Sequence, residues 1–96
     1  MIEEPQRIDL SLEPLDDYLV VQPTEDEAET RAGLILPANL EARVRTGIVT
    51  AAGSEANGIA PGDKVLFPRD VGYEVRLTGV QVTVLRRREL IARIHD

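Results

Sequence analysis

Apolar and polar positions alternate along this chain in short runs. Ile8, Leu10 and Leu12 interleave with Arg7, Asp9, Ser11 and Glu13, the period of two expected of a strand with one buried face. Pro14 ends or kinks that run. Tyr18-Leu19-Val20-Val21-Gln22 is a second, β-branched-rich run, closed by Pro23, which lacks a ladder donor. Val44 to Ala52 has strand character again, with Gly47 marking a bulge or a close backbone approach. Lys64-Val65-Leu66-Phe67 is stopped by Pro68. Glu74-Val75-Arg76-Leu77 and Val80-Gln81-Val82-Thr83-Val84-Leu85 flank Thr78-Gly79, a two-residue hairpin signal. Leu90-Ile91-Ala92-Arg93-Ile94 predicts a terminal strand. Gly53, Asn57, Gly58, Pro61 and Gly62 mark a turn region running into Asp63. Leu40 to Arg45 and Arg86 to Ile94 have room for a helical turn or two, but neither carries a sustained 3.6-residue apolar stripe.

Short strands joined by Gly and Pro turns predict an all-β domain, a small barrel or sandwich. A first strand at Leu12 and a last at Ile94 leave edges that a neighbour can cover. Residues 1–96 read as a single domain, with no repeat, low-complexity tract or dividing linker.

One stretch breaks the pattern. From Thr24 to about Asn39, Glu25, Asp26, Glu27 and Glu29 crowd one charge sign, and the isolated apolar triplet Leu34-Ile35-Leu36 follows between Gly33 and Pro37. The triplet is either a short edge strand packed on the barrel or a loop that offers three aliphatic side chains to a partner's apolar groove and orders on binding.

Composition narrows the choice of partner. The 96 residues include 17 acidic and 11 basic side chains, a net charge of -6. That balance repels phosphate backbones and anionic lipid at long range. Apolar residues make up 43% of the chain but aromatic ones only 3%, so the core is aliphatic and thin, and burial between subunits would help it. The chain has no cysteine, which excludes disulfides and thiolate metal sites and fits a reducing, cytoplasmic setting. Met1 to Arg7 lack the basic and apolar regions of a signal peptide, and no apolar run reaches membrane-spanning length.

Residues for catalysis or for a cofactor are not assembled. The only histidine, His95, is next to last. Asp16 and Asp17 are adjacent, so on a strand they point to opposite faces and read as a turn before Tyr18, not as an acid/base pair. The Glu25 to Glu29 run lacks the ordered spacing of a calcium loop. Arg86-Arg87-Arg88 has no stacking aromatic nearby and reads as an ion-pairing cluster, within or between subunits. No catalytic, metal or cofactor-binding residue is assigned.

Taken in order, Leu12-Glu13-Pro14-Leu15-Asp16-Asp17 with Val20 and Val21, then Gly33-Leu34-Ile35-Leu36-Pro37, Pro61-Gly62-Asp63-Lys64-Val65-Leu66-Phe67, Gly72-Tyr73-Glu74-Val75-Arg76-Leu77-Thr78-Gly79 and Glu89-Leu90-Ile91-Ala92-Arg93-Ile94 resemble the GroES family, the ten-kilodalton co-chaperonins. The resemblance runs from about Leu12 to Ile94. It implies a small irregular, partly open GroES-like β-barrel in a heptameric ring, with residues 1–11 an N-terminal extension, 24–39 a mobile loop and 53–63 a shortened roof turn. It implies a non-enzymatic lid that caps a large GroEL-like chaperonin ring with nucleotide bound to the chaperonin, and closes an ATP-driven folding chamber. Gly33, Leu34, Ile35, Leu36 and Pro37 become the partner-binding residues, with no cofactor, nucleic acid or membrane partner. Three departures stand out. Tyr18 replaces the family's customary Arg, Arg87 stands where an acidic residue is common, and the 53–63 turn is shorter than the roof hairpin. An RNA-binding barrel of translation or transcription is the alternative suggested by Pro61 to Val65 and Gly72, and the net charge opposes it. A dehydrogenase-type barrel would need a nucleotide-binding half and metal ligands, which this chain lacks.

Overall fold

The computed structural model describes residues 11–24, 37, 39 and 43–95. Six strands, β1 (Tyr18–Pro23), β2 (Val44–Ala52), β3 (Lys64–Pro68), β4 (Tyr73–Leu77), β5 (Val80–Arg86) and β6 (Ala92–Ile94), form one antiparallel sheet in the order β4-β5-β1-β2-β3-β6. The fold is all-β, and among the described residues β4 and β6 are the two edges of the sheet.

Registers put one set of side chains on a common inner face. Leu19 lies opposite Leu85, Val21 opposite both Val49 and Thr83, and Arg45 opposite Phe67. Leu19, Val21, Val49, Val65, Phe67 and Leu85 pack there with Ala56 into the core, while Ala52, Ile59 and Leu90 seal its margin. A flat sheet with so little cover would leave that face wet. Exposures of 0–1% for these strand residues require the sheet to curl on itself, a barrel left unclosed between β4 and β6.

Arg45 and Glu74 confirm the curl. They stand on β2 and β4, with β5 and β1 between those strands in the sheet, yet Arg45 Nη1 donates to Glu74 Oε2 at 2.7 Å. The Arg45 guanidinium also sits 5.9 Å from the Phe67 ring centroid, a cation–π distance. Gln81 Nε2 donates to the other Glu74 oxygen.

Gly47 is a point of close approach, as the strand pattern suggested. A Cβ there would stand 2.5 Å from Val21 Cγ1 and 2.9 Å from the Gln22 carbonyl oxygen. The bulge falls elsewhere, at Thr50. Val20 pairs with Ala51 and Val21 with Val49, so Thr50 is the extra residue, and its hydroxyl donates to the Val20 carbonyl at 3.2 Å. Thr78 and Gly79 have φ of 47° and 86° and join the Leu77↔Val80 pair, a type I′ hairpin.

Three expectations need correcting. The alternating run from Ile8 does not carry a strand through Leu12: residues 11–15 have no strand pairing, and residues 1–10 lie outside the described set. Among the described residues the first strand is therefore β1, which is interior, and the edges of the sheet are β4 and β6. Leu90 and Ile91 precede the last strand. Arg87–Glu89 forms a 3-10 turn there, because Glu89 Oε1 accepts the Arg86 N–H at 2.8 Å and draws the chain round. That turn is the short helical element for which residues 86–94 had room.

Candidate partner-binding site

Gly33, Leu34, Ile35 and Leu36 lie outside the described residues, and Pro37 is exposed. What the structure establishes is where the 24–39 segment is rooted. It leaves the sheet after Pro23, and the chain returns at Val44, the first residue of β2. Since Pro23 pairs with Gly47, both roots fall at one end of the same strand pair. Three residues of extended chain separate Arg43 from Thr46, on the order of 10 Å.

Three consecutive residues of β2 hold that end together. The Val44 carbonyl accepts Arg69 Nη2 at 3.1 Å, and the Arg43 carbonyl accepts the Arg69 N–H at 2.7 Å. Arg45 reaches Glu74, as described above. The Thr46 carbonyl accepts the Thr24 N–H at 3.0 Å, and the Thr46 hydroxyl donates back to the Thr24 carbonyl at 3.1 Å. The two hydroxyls are 3.2 Å apart. A hydroxyl has one proton to donate, so the Thr24 hydroxyl is the donor of that pair. None of these anchors was visible in the sequence, because each joins residues more than twenty positions apart and carries no local pattern.

The other candidate groups serve the scaffold. Asp16, with φ of 57°, and Asp17 make the turn before β1. Arg86 binds Asp17 with Nη2 at 2.7 Å and Nε at 3.2 Å from Oδ1, and its guanidinium stacks 4.6 Å from the centroid of the Tyr18 ring. The Arg86 hydrogen bond holds the Asp17 carboxyl below its ordinary range, and Arg86 is raised in return. Arg87 Nε donates to the Asn57 carbonyl at 2.9 Å. Asp63 accepts the Ala60 N–H at 2.9 Å and Arg93 Nη1 at 3.2 Å. The Ala60 hydrogen bond is the main reason its pKa is lowered, with Arg93 adding to it. Arg93 also donates to the Gly58 carbonyl. The 53–63 segment is thus tacked to its surroundings at several points. Gly53 N–H donates to the Tyr18 carbonyl, Glu55 N–H to the Asp16 carbonyl, and Ala56 enters the core.

Among the described residues no group of three or more His, Asp and Glu is placed to hold a metal ion. His95 is exposed at the rim of a shallow hollow shared with Arg87, Leu90 and Arg93.

Residues 11–94 match the family model described as the chaperonin 10 Kd subunit. The chain is 33% identical over 94 residues to co-chaperonin GroES 1 of Rhodopirellula baltica, covering 88% of this chain and 93% of that one. It is 35% identical to co-chaperonin GroES of Micrococcus luteus, with 86% and 94% covered, and 30% identical to that of Rickettsia canadensis, with 90% and 100% covered. A match spanning every described strand, together with co-chaperonin GroES relatives at 30–35% identity that align over nearly their whole length, places this chain in the chaperonin 10 Kd subunit family, the GroES co-chaperonins.

Proposed function

We propose that the protein is a non-enzymatic co-chaperonin that caps a GroEL-like chaperonin ring, with nucleotide bound to the chaperonin, and closes its folding chamber. The observation that carries the reading is family membership across residues 11–94, joined to a scaffold that roots the 24–39 segment at a single point. Gly33, Leu34, Ile35, Leu36 and Pro37 are the partner-binding residues of this reading. Three aliphatic side chains between a glycine and a proline, following an acidic tether, suit an apolar groove.

One such segment binds weakly, because ordering a tether costs about 1–2 kcal/mol per residue. Several on one ring convert later contacts into intramolecular ones, with gains of roughly 10²- to 10⁴-fold. A heptameric ring in the cytoplasm meets that need, and the free edges β4 and β6 suit assembly between copies. The compact 53–63 turn leaves little chain to roof the apex of such a ring, so its dome is read as open. The RNA-binding alternative gains little support from the Arg86-Arg87-Arg88 cluster, since Arg86 and Arg87 are engaged within the chain.

Native mass measurement tests the proposal. The protein alone should run as a ring of one defined stoichiometry, and with chaperonin and nucleotide it should add one ring per chaperonin end. A monomer that ignores the chaperonin but binds RNA in a steeply salt-dependent way would reverse the reading.

A further inference from the structure

We infer that Thr46 is a positioning residue for chaperonin binding, because its buried hydroxyl and its carbonyl hold Thr24, the outgoing foot of the 25–42 segment, against the strand where that segment returns. The inference rests on the co-chaperonin reading above and concerns how the same site is presented.

The β1–β2 ladder is weakest where the segment departs. Pro23 pairs with Gly47 but has no N–H to contribute, and Gly47 has no side chain with which to grip it. Directly beyond that gap come the backbone bond from Thr24 N–H to the Thr46 carbonyl and the return bond from the Thr46 hydroxyl to the Thr24 carbonyl. Thr46 is 8% exposed, so its hydroxyl trades these bonds against little competition from water. Thr24, by contrast, is exposed. The Thr46 side chain therefore supplies the grip that proline and glycine cannot. If the foot is released, its residues must be ordered again whenever the segment binds, which weakens association.

The two halves of the Thr46 side chain separate positioning from stability. Thr46→Val keeps the buried shape and removes the hydroxyl, whereas Thr46→Ser keeps the hydroxyl and removes a buried methyl. Dissociation of each protein from purified chaperonin with nucleotide is measured beside its thermal melt. Thr46→Val should dissociate about 3- to 10-fold faster, the effect of losing the hydroxyl's bonds to the exposed Thr24, while melting close to wild type. Thr46→Ser should melt lower yet dissociate at the wild-type rate. Dissociation of Thr46→Val at the wild-type rate, or dissociation of both variants in step with their melting temperatures, would overturn the inference. Wild-type protein that fails to bind the chaperonin at all would overturn the co-chaperonin reading, and this inference with it.

Discussion

Arg45 and Glu74 meet across the open barrel at 2.7 Å, from strands that are not neighbours in the sheet. Their side chains differ in setting, at 10% and 44% exposed. The guanidinium is largely covered, against Phe67, while the carboxylate reaches in from the rim. Removing the carboxylate leaves a largely covered charge with one partner fewer, a larger loss than the pair's own net contribution.

Acid should weaken this fold through its paired carboxylates. The hydrogen bond from Arg45, then that from Gln81, lowers Glu74 from 4.5, and the Arg86 bond lowers Asp17 from 3.8. Groups with depressed values add stability that is present above their unfolded pKa and lost as the pH falls through the folded one. Urea midpoints should therefore hold steady from neutral pH down to the ordinary carboxylate range and fall below it. Asp17→Asn should be less stable than wild type at neutral pH and lose less on acidification. An equal acid loss in both proteins would show that the Asp17–Arg86 pair does not contribute to it.

Thr83 is the next test. It is 0% exposed and its hydroxyl has no hydrogen-bond partner among the described residues, although it faces Val21 and Glu74 across its two ladders. A buried, unsatisfied hydroxyl costs about 1–3 kcal/mol, and valine fills the same volume with a methyl group. Thr83→Val should raise stability to unfolding by about 1 kcal/mol, read from urea denaturation at unchanged m-value. A loss of stability would mean that the hydroxyl is satisfied in solution.

What the sequence disclosed and what it hid divide by range. Thr78-Gly79 and Pro61-Gly62 declared their turns because the needed backbone angles belong to the residues themselves, and β1, β2, β3 and β5 were legible from their apolar runs. The proposed partner-binding triplet stood out by contrast with its acidic neighbours, although Leu34, Ile35 and Leu36 fall outside the described residues. Leu12 misled. Its alternation has a strand's period, but period alone does not supply a pairing partner, and residues 11–15 have none. Thr24 with Thr46 and Asp17 with Arg86 were hidden because strand pairing joins residues far apart in the chain, and Arg45 with Glu74 because only the curl of the sheet brings their strands together.

Gly47 should resist every substitution. Alanine would press its Cβ to 2.5 Å from Val21 Cγ1 and 2.9 Å from the Gln22 oxygen, and the backbone partner cannot swing away as a side chain does. Gly47→Ala should cost about 2 kcal/mol or more, near the upper range for an overpacked site, and Val21→Ala beside it should recover part of that loss. Melting temperatures of the two single variants and the double variant decide the matter. Additive losses would place the strain somewhere other than this contact.

Thr78 invites the opposite result. A β-branched residue at φ 47° occupies a backbone region that asparagine and glycine accept more readily. Its hydroxyl bonds its neighbour's carbonyl, that of Leu77, at 2.6 Å. Thr78→Asn should keep the hairpin and add about 1 kcal/mol to stability, the low end of what such backbone strain stores. The gain should appear as a higher urea midpoint, and a lower one would count against the strain at this turn.

The site itself is tested at Ile35. A carboxylate in the middle of the apolar triplet must be desolvated without a partner if it enters an apolar groove, a penalty of several kcal/mol. Ile35→Asp should therefore weaken chaperonin binding by more than about 100-fold. On the proposed reading the triplet adds nothing to the barrel core, so melting temperature and ring mass should stay as in wild type. Ile35→Ala, which only removes buried methylenes, should lose less. Retained co-migration of Ile35→Asp with chaperonin in the presence of nucleotide would remove the triplet from the interface. A collapse in melting temperature would instead mean that Leu34, Ile35 and Leu36 pack against their own barrel, the edge-strand arrangement, and are not available to a partner.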